Sequence, residues 1–298
     1  MKKIQTNAEK LITLRRSSLR AAGALKRKAK PRLPARPKSA KIYEVEFYRL
    51  IKNALSPYRQ AIEDKLLPAL PLIIEAYKAQ IRFDDAYGEV VSTAFEGIEI
   101  GVFISLSDAA LETNLLPFTA RLADFNKKEF GRQIFSVVGV NPLTTEKYLD
   151  PKVKSFIAEN IALIKNIPAE SKRKLEGKIR RGIESGESLV EITATVKDEI
   201  AIVDNRAKLI ARDQTNKFLG SLTALRQTEL GIEQYVWMTS NDERVRGRPG
   251  GKYPDARPSH WSRQGKKFSW DKPPSGGHPG FAIQCRCVAV PVLDKYFE

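Results

Sequence analysis

Leu230-Gly-Ile-Glu-Gln-Tyr-Val-Trp-Met-Thr239 divides this chain into two regimes. Before it, apolar residues recur at the 3.6-residue spacing of helices. From Tyr235 they alternate and are rich in β formers, which reads as a strand. Gly231, between the two, is placed to end a long helix. Downstream, Asn241–Ser259 is a polar loop punctuated by Gly and Pro, and Lys267–Trp270 is a short strand. Lys272–Gly280 is a second such loop. Cys287–Leu293 alternates through Val288, Val290 and Val292 as a final strand, which Pro291 places at a sheet edge.

Upstream the stripes are helical. Phe47, Leu50, Ile51 and Leu55 share one face. Pro57, Pro68 and Pro71 then interrupt or kink the chain, and residues 90–138 continue at helical spacing up to a turn at Asn141-Pro142. Val153, Ile157, Ile161 and Ile164 form a stripe expected to stop at Pro168. Leu175, Ile179 and Ile183 form the next, ending at Gly186. Ser188 with Glu191 fits a capping box before Leu189, Ile192, Val196 and Ile200. Asp204 is expected to cap a separate helix through Ala207, Ala211, Phe218, Leu222 and Leu225, closing at Gly231. The expected fold class is α+β: an elongated, mainly helical body followed by a small β-rich C-terminal module. Its divisions are residues 1–42, 43–150, 151–231 and 232–298.

Composition bounds the function. The 298 residues are 42% hydrophobic and 29% charged, as in a globular protein. No apolar run approaches the roughly 18 residues of a spanning helix, so no membrane role is expected, and the basic start lacks the apolar core of a secretory signal. Two cysteines exclude a disulfide scaffold. The net charge of +16 is unevenly spread. Residues 1–42 carry 14 Lys or Arg against Glu9 alone, leaving +3 for the rest. Lys10–Lys30 has helix-forming composition, whereas Pro31–Pro37 favours extended backbone. Such an arm is expected to be disordered when free and to engage polyanions, with Lys26, Arg27, Lys28, Lys30, Arg32 and Arg36 as nucleic-acid-binding residues.

The scarce chemical side chains gather at the other end. His260, His278, Cys285 and Cys287 fall within 28 residues. Two thiolates and two imidazoles make up a tetrahedral structural zinc set, although the spacing is not that of the common fingers. Plain packing of two reduced cysteines and a redox role are the alternatives. A relaxed disulfide is disfavoured, because residues two apart in a strand lie about 6.6 Å apart. Asp242, Arg244, Arg246 and Arg257, with Trp237, form a second cluster. Asp242 beside His260 invites a general-base reading, but no elbow, phosphate loop, HExxH or dinucleotide fingerprint accompanies it, so the cluster reads as structural, with Asp242 capping a turn and pairing with an arginine.

Taken in order, these residues resemble a known family. Ile161–Pro168, Lys178–Gly186 and Ala207–Thr215 look like the helical part of phage Mu F-like minor head proteins, the phage head morphogenesis family. The tail is similar too: Tyr235-Val-Trp-Met-Thr-Ser-Asn-Asp-Glu-Arg-Val-Arg246, Arg257-Pro-Ser-His260, Gly265, Phe268, Pro279-Gly280 and Cys285-Arg-Cys287. The similarity covers about residues 150–292. It departs at Asp213-Gln-Thr215, where an Arg-Thr-Glu-like run is commoner, and at the insert Gly247–Asp255. The resemblance implies a non-enzymatic virion protein, present in few copies inside the procapsid near the portal. It would contact portal protein, major capsid or scaffold protein and, non-specifically, packaged phage DNA, and pass through the host cytoplasm during assembly. The alternative is a toxin-type enzyme, a nuclease or ADP-ribosyltransferase, using Asp242, Arg244 and His260.

Overall fold

The computed structural model describes residues 13, 33–80, 105–139, 146 and 149–294. The fold is α+β. Helices α1 (Lys41–Ala54), α2 (Ser56–Ala61), α3 (Leu67–Gln80), α4 (Asp108–Val138), α5 (Leu149–Glu184) and α6 (Leu189–Glu229) precede strands β1 (Gln234–Met238), β2 (Lys267–Ser269) and β3 (Val288–Pro291). The strands form one antiparallel sheet in the order β2-β1-β3. Pro291 closes edge strand β3, where its missing N–H costs the ladder nothing.

Two compact units emerge. The first holds the described residues of Met1–Ile42, Ala120–Lys152 and Asp213–Glu298, and the second those of Tyr43–Thr119 and Val153–Arg212. In the second unit Phe47 lies at the centre, its ring 4.8 Å from that of Phe118 and 6.0 Å from that of Phe156. Leu175, Ile179 and Ile183 of α5 and Ile192 and Val196 of α6 are buried there too, as their spacing predicts. In the first unit Phe130, Ile134 and Val138 of α4 pack with Ile232 and Leu293.

The helix ends follow local chemistry. Gly186 and Gly231 both have positive φ, and each closes a double bond pattern. Glu187 N–H bonds to Gly182 and Gly186 N–H to Ile183; Ile232 N–H bonds to Gln227 and Gly231 N–H to Thr228. Ser188 caps α6: the Glu191 N–H donates to Ser188 Oγ at 3.3 Å, and the Ser188 N–H donates to Glu191 Oε2 at 2.7 Å. Ser188→Ala is expected to destabilise the chain by about 1 kcal/mol, read as a small shift of the urea midpoint with an unchanged slope.

Two expectations are corrected. Pro168 does not stop a helix; α5 runs through it for 36 residues. A proline removes one N–H bond, to the carbonyl four residues back. Here Ile164, Ile167 and Pro168 itself are all buried, and that packing holds the helix together. Asp204 caps nothing. It lies mid-way along the 41-residue α6, accepts the Tyr48 hydroxyl at 2.6 Å and pairs with Lys208 at 2.7 Å. The two stripes on either side of it are one helix. Pro68 and Pro71 lie within α3, preceded by a π-helical turn at Ile62–Leu66. Apart from residue 13, Lys10–Pro31 lies outside the described residues, as do residues 81–104 and Asn141-Pro142.

The arm is also shorter than its charge suggests. Residues 33–40 form no helix or strand, in keeping with their prolines, but they are tied to the protein. Gln133 Nε2 donates to the Ala35 carbonyl at 2.7 Å, Arg132 Nη2 to the Arg36 carbonyl at 3.3 Å, and the Lys38 N–H to Glu129 Oε2 at 2.8 Å. Pro34 and Ala40 are buried. The expected disorder therefore does not include residues 33–42, because side chains of α4 satisfy the backbone groups that a free chain would give to water.

Candidate functional site

Strand β1 positions the site. Tyr235 and Trp237 lie two apart and so share one face, where they form a buried cluster with Cys285, Cys287 and Ala289. Trp237 pairs with Ala289 across the sheet, which brings the segment entering β3, and thus both cysteines, beside the indole. His260 arrives from the other loop. Its N–H, with that of Trp261, donates to the Arg246 carbonyl at 3.0 Å, and its ring packs edge-on against Trp237 at 5.1 Å.

His260 Nδ1 lies 3.5 Å from Cys285 Sγ and 3.6 Å from Cys287 Sγ, and the three atoms lie within 4.8 Å of one another. A tetrahedral zinc with bonds of about 2.0–2.1 Å to nitrogen and 2.3 Å to sulfur has an N···S edge of about 3.6 Å. The donor set and its spacing therefore fit a soft divalent metal. All three residues are buried, with exposures of 3–6%. His278 is not in this group. Its Nδ1 lies 2.9 Å from the Tyr235 hydroxyl, its ring lies 4.8 Å from that of Trp270 at a tilt of 52°, and burial pushes its pKa down. Among the described residues, three ligand atoms converge rather than the four expected.

Proton sharing within the group follows from the same closeness. The closeness of Cys287, with help from His260 and the Gly280 N–H at 3.4 Å, holds Cys285 well below the usual thiol range despite burial. Cys287 is pushed up, first by that pairing and then by burial. The Gly280 N–H reaches the sulfur because its loop presses onto α6. A Cβ on Gly220 would meet the Pro279 carbonyl at 2.9 Å, so both positions need glycine. The remaining ring nitrogen, His260 Nε2, is buried and has no hydrogen-bond partner among the described residues.

Asp242 lies in the loop after β1. Its Oδ1 accepts the Arg244 N–H at 2.9 Å, closing a turn, and its carboxylate takes a two-pronged contact from Arg286 at 2.7 and 2.5 Å. Burial raises its pKa, but these donors outweigh burial and hold it below the usual carboxylate range. The arginine partner is thus Arg286, between the two cysteines, and not one of those singled out from sequence. Arg244 lies 3.9 Å from Asp242, Arg246 donates to the Ile283 carbonyl at 2.6 Å, and Arg257 donates to the neighbouring Ala256 carbonyl at 3.3 Å. Arg36 donates to the Thr239 carbonyl at 2.7 Å, whereas Lys26, Arg27, Lys28, Lys30 and Arg32 lie outside the described residues. Sequence reasoning also missed Gln227, which donates to the Ala289 carbonyl at 3.1 Å and accepts the Trp270 indole N–H at 3.0 Å, and Asp213, which accepts the Gln284 N–H at 2.7 Å. Asp213 stands where the family resemblance departs, and that departure was the one available signal.

Residues 173–290 match the family described as Phage Mu protein F like protein. This stretch of the chain is similar to the Mu F-like family. The matched stretch takes in the last third of α5, all of α6 and the sheet up to Val290, with Asp242, His260, Cys285 and Cys287 inside it. The chain is also 32% identical over 241 residues to a protein of Haemophilus influenzae described as uncharacterized, which covers 79% of this chain and 45% of the relative. The chain thus spans about half the length of that relative. No solved structure matches it. Among the described residues, no helix is long and apolar enough to cross a membrane.

Proposed function

We propose that the chain is a minor head protein of a tailed phage or prophage, incorporated inside the procapsid near the portal, with its basic arm on packaged DNA. The similarity to the Mu F-like family carries this reading. The arm supports its DNA-binding part: 11 of its 14 cations precede the tethered segment at residue 33. Such a run binds phosphates by counterion release and reads no sequence. The Cys285–Cys287–His260 group serves as a structural zinc clip that fastens β3 to the loop carrying His260. The small sheet gains from such a clip because three strands of three to five residues bury little by themselves. The toxin-type enzyme reading is disfavoured by burial: His260 faces two thiols, and the Asp242 carboxylate is taken up by Arg286.

Two experiments test this. Heads assembled without the protein should form with fewer DNA-filled particles, and the tagged protein should copurify with portal; normal filling and no portal association would overturn the placement. Deleting residues 1–32 leaves the tethered segment in place. It should lower affinity for duplex DNA about 100-fold or more at 0.1 M salt and flatten the salt dependence, measured by fluorescence anisotropy. Unchanged binding would remove the arm from the account.

A further inference from the structure

The arm is not the whole of the positive surface. Helix α5 contains Lys172-Arg-Lys-Leu-Glu-Gly-Lys-Ile-Arg-Arg181, six cations and one acid in ten residues. Its buried side is set by Ser171, Leu175, Ile179, Gly182 and Ile183. At 100° per residue, Arg173, Arg180 and Arg181 fall on the opposite side, with Lys174 at its margin, and all four are exposed.

Of the acids near this face, Glu176 lies 4.0 Å from Lys172, Glu187 and Asp198 line the groove beside Arg181, and two others have partners outside the run of cations. Glu170 is gripped by both terminal nitrogens of Arg206, which pulls its pKa down to about 2. Glu184 accepts the Tyr77 hydroxyl at 2.8 Å and lies 3.9 Å from Arg180, a weak contact. Lys174 is 4.0 Å from Glu170. Arg173 and Arg181 make no ion pair among the described residues. The Arg181 guanidinium lies along the helix over Gly177, with Nη1 3.2 Å from where a Cβ would stand.

We infer that the outward face of α5, Arg173, Arg180 and Arg181, is a second contact for the phosphate backbone of double-stranded DNA, separate from the arm. Arginine outnumbers lysine on this face, and its planar fork matches phosphate oxygens. From Arg173 to Arg181 is about 12 Å along a rigid helix, so one rod presents three cations to a single duplex. An acidic protein surface is the competing occupant. It is less favoured because residues 171–184 expose no large apolar side chain, and Ile202, in the groove beside Arg181, is too little for the apolar core that protein interfaces need. This deepens the reading of the chain as a DNA-contacting head protein.

The test uses the full-length chain in three variants: Arg173→Gln with Arg180→Gln and Arg181→Gln; Lys26, Arg27, Lys28, Lys30 and Arg32 all to Gln; and both sets together. Binding to a duplex of mixed sequence is followed from about 50 to 300 mM salt. Each lost phosphate contact lowers the slope of log K against log salt by about 0.9, so the helix variant should lose about 2–3 in slope, with unchanged circular dichroism and melting. The combined variant should lose the sum of the two. Loss in the helix variant alone would support the inference and overturn the arm as the DNA contact. Loss in the arm variant alone would overturn the inference and leave the arm reading standing. Unchanged DNA binding together with lost capture of an acidic head protein by the helix variant would also overturn it, assigning the face to a protein. If the triple variant fails to fold, Arg173→Gln and Arg181→Gln are read singly. Each should lose about 0.9 in slope, and no loss in either would overturn the inference.

Discussion

Replacing Cys285 and Cys287 together by serine is expected to remove close to one zinc per chain and to lower the melting temperature by about 5 °C or more. A hydroxyl is too weak a ligand to replace a thiolate, so the metal should leave. Serine buried without a partner also destabilises, by about 1–3 kcal/mol, so the loss of melting temperature alone would not discriminate. The wild-type chain supplies the control. Elemental analysis after purification without chelator should show the metal, and a strong chelator should reproduce most of the thermal shift. Wild-type protein that is metal-free, with melting insensitive to chelator, would leave His260, Cys285 and Cys287 as a packed and hydrogen-bonded trio.

Arg226→Ala is expected to cost about 3–5 kcal/mol, the largest effect of any single substitution considered. Arg226 is completely buried. Its guanidinium donates to Glu146 Oε1 at 2.6 Å and Oε2 at 3.2 Å, to the Ala123 carbonyl at 3.3 Å and to Asn126 Oδ1. Truncation removes the two-pronged partner of the Glu146 carboxylate, whose side chain is also buried, and leaves the partly exposed Lys127 Nζ beside it at 3.5 Å. The neighbouring Gln227 carries the sheet through Ala289 and Trp270, so distortion at this point of α6 should spread to the C-terminal module. Urea unfolding followed by tryptophan fluorescence measures the loss. Arg226→Met combined with Glu146→Gln should recover part of it, because no charge is then buried alone. A loss under 1 kcal/mol for Arg226→Ala would show that water reaches Glu146.

The features legible in the sequence are those that depend on neighbours within about five residues. The Ser188–Glu191 box and the glycine ends at Gly186 and Gly231 use bonds that span a single helical turn. The strands at Tyr235, Lys267 and Val288 show in their alternation and β-former content, and Pro291 marks its own edge because it lacks a donor. Charge asymmetry and the Cys/His concentration are likewise properties of the string. Tertiary structure decided which members of each cluster meet. His260 and His278 are equivalent in composition, yet the loop pinned by the Arg246 carbonyl delivers only His260 to the thiols, while His278 turns to Tyr235. Asp242 chose Arg286, 44 residues away, over Arg244 nearby, because the sheet places the β3 entry beside the β1 exit. The same holds for Pro168, whose lost hydrogen bond is outweighed by packing on its buried face, and for Ala35, Arg36 and Lys38, held by α4 side chains about 90–100 residues distant. Local backbone chemistry acts over one turn and can be read from the chain; side-chain partners are set by the path of the intervening chain through space.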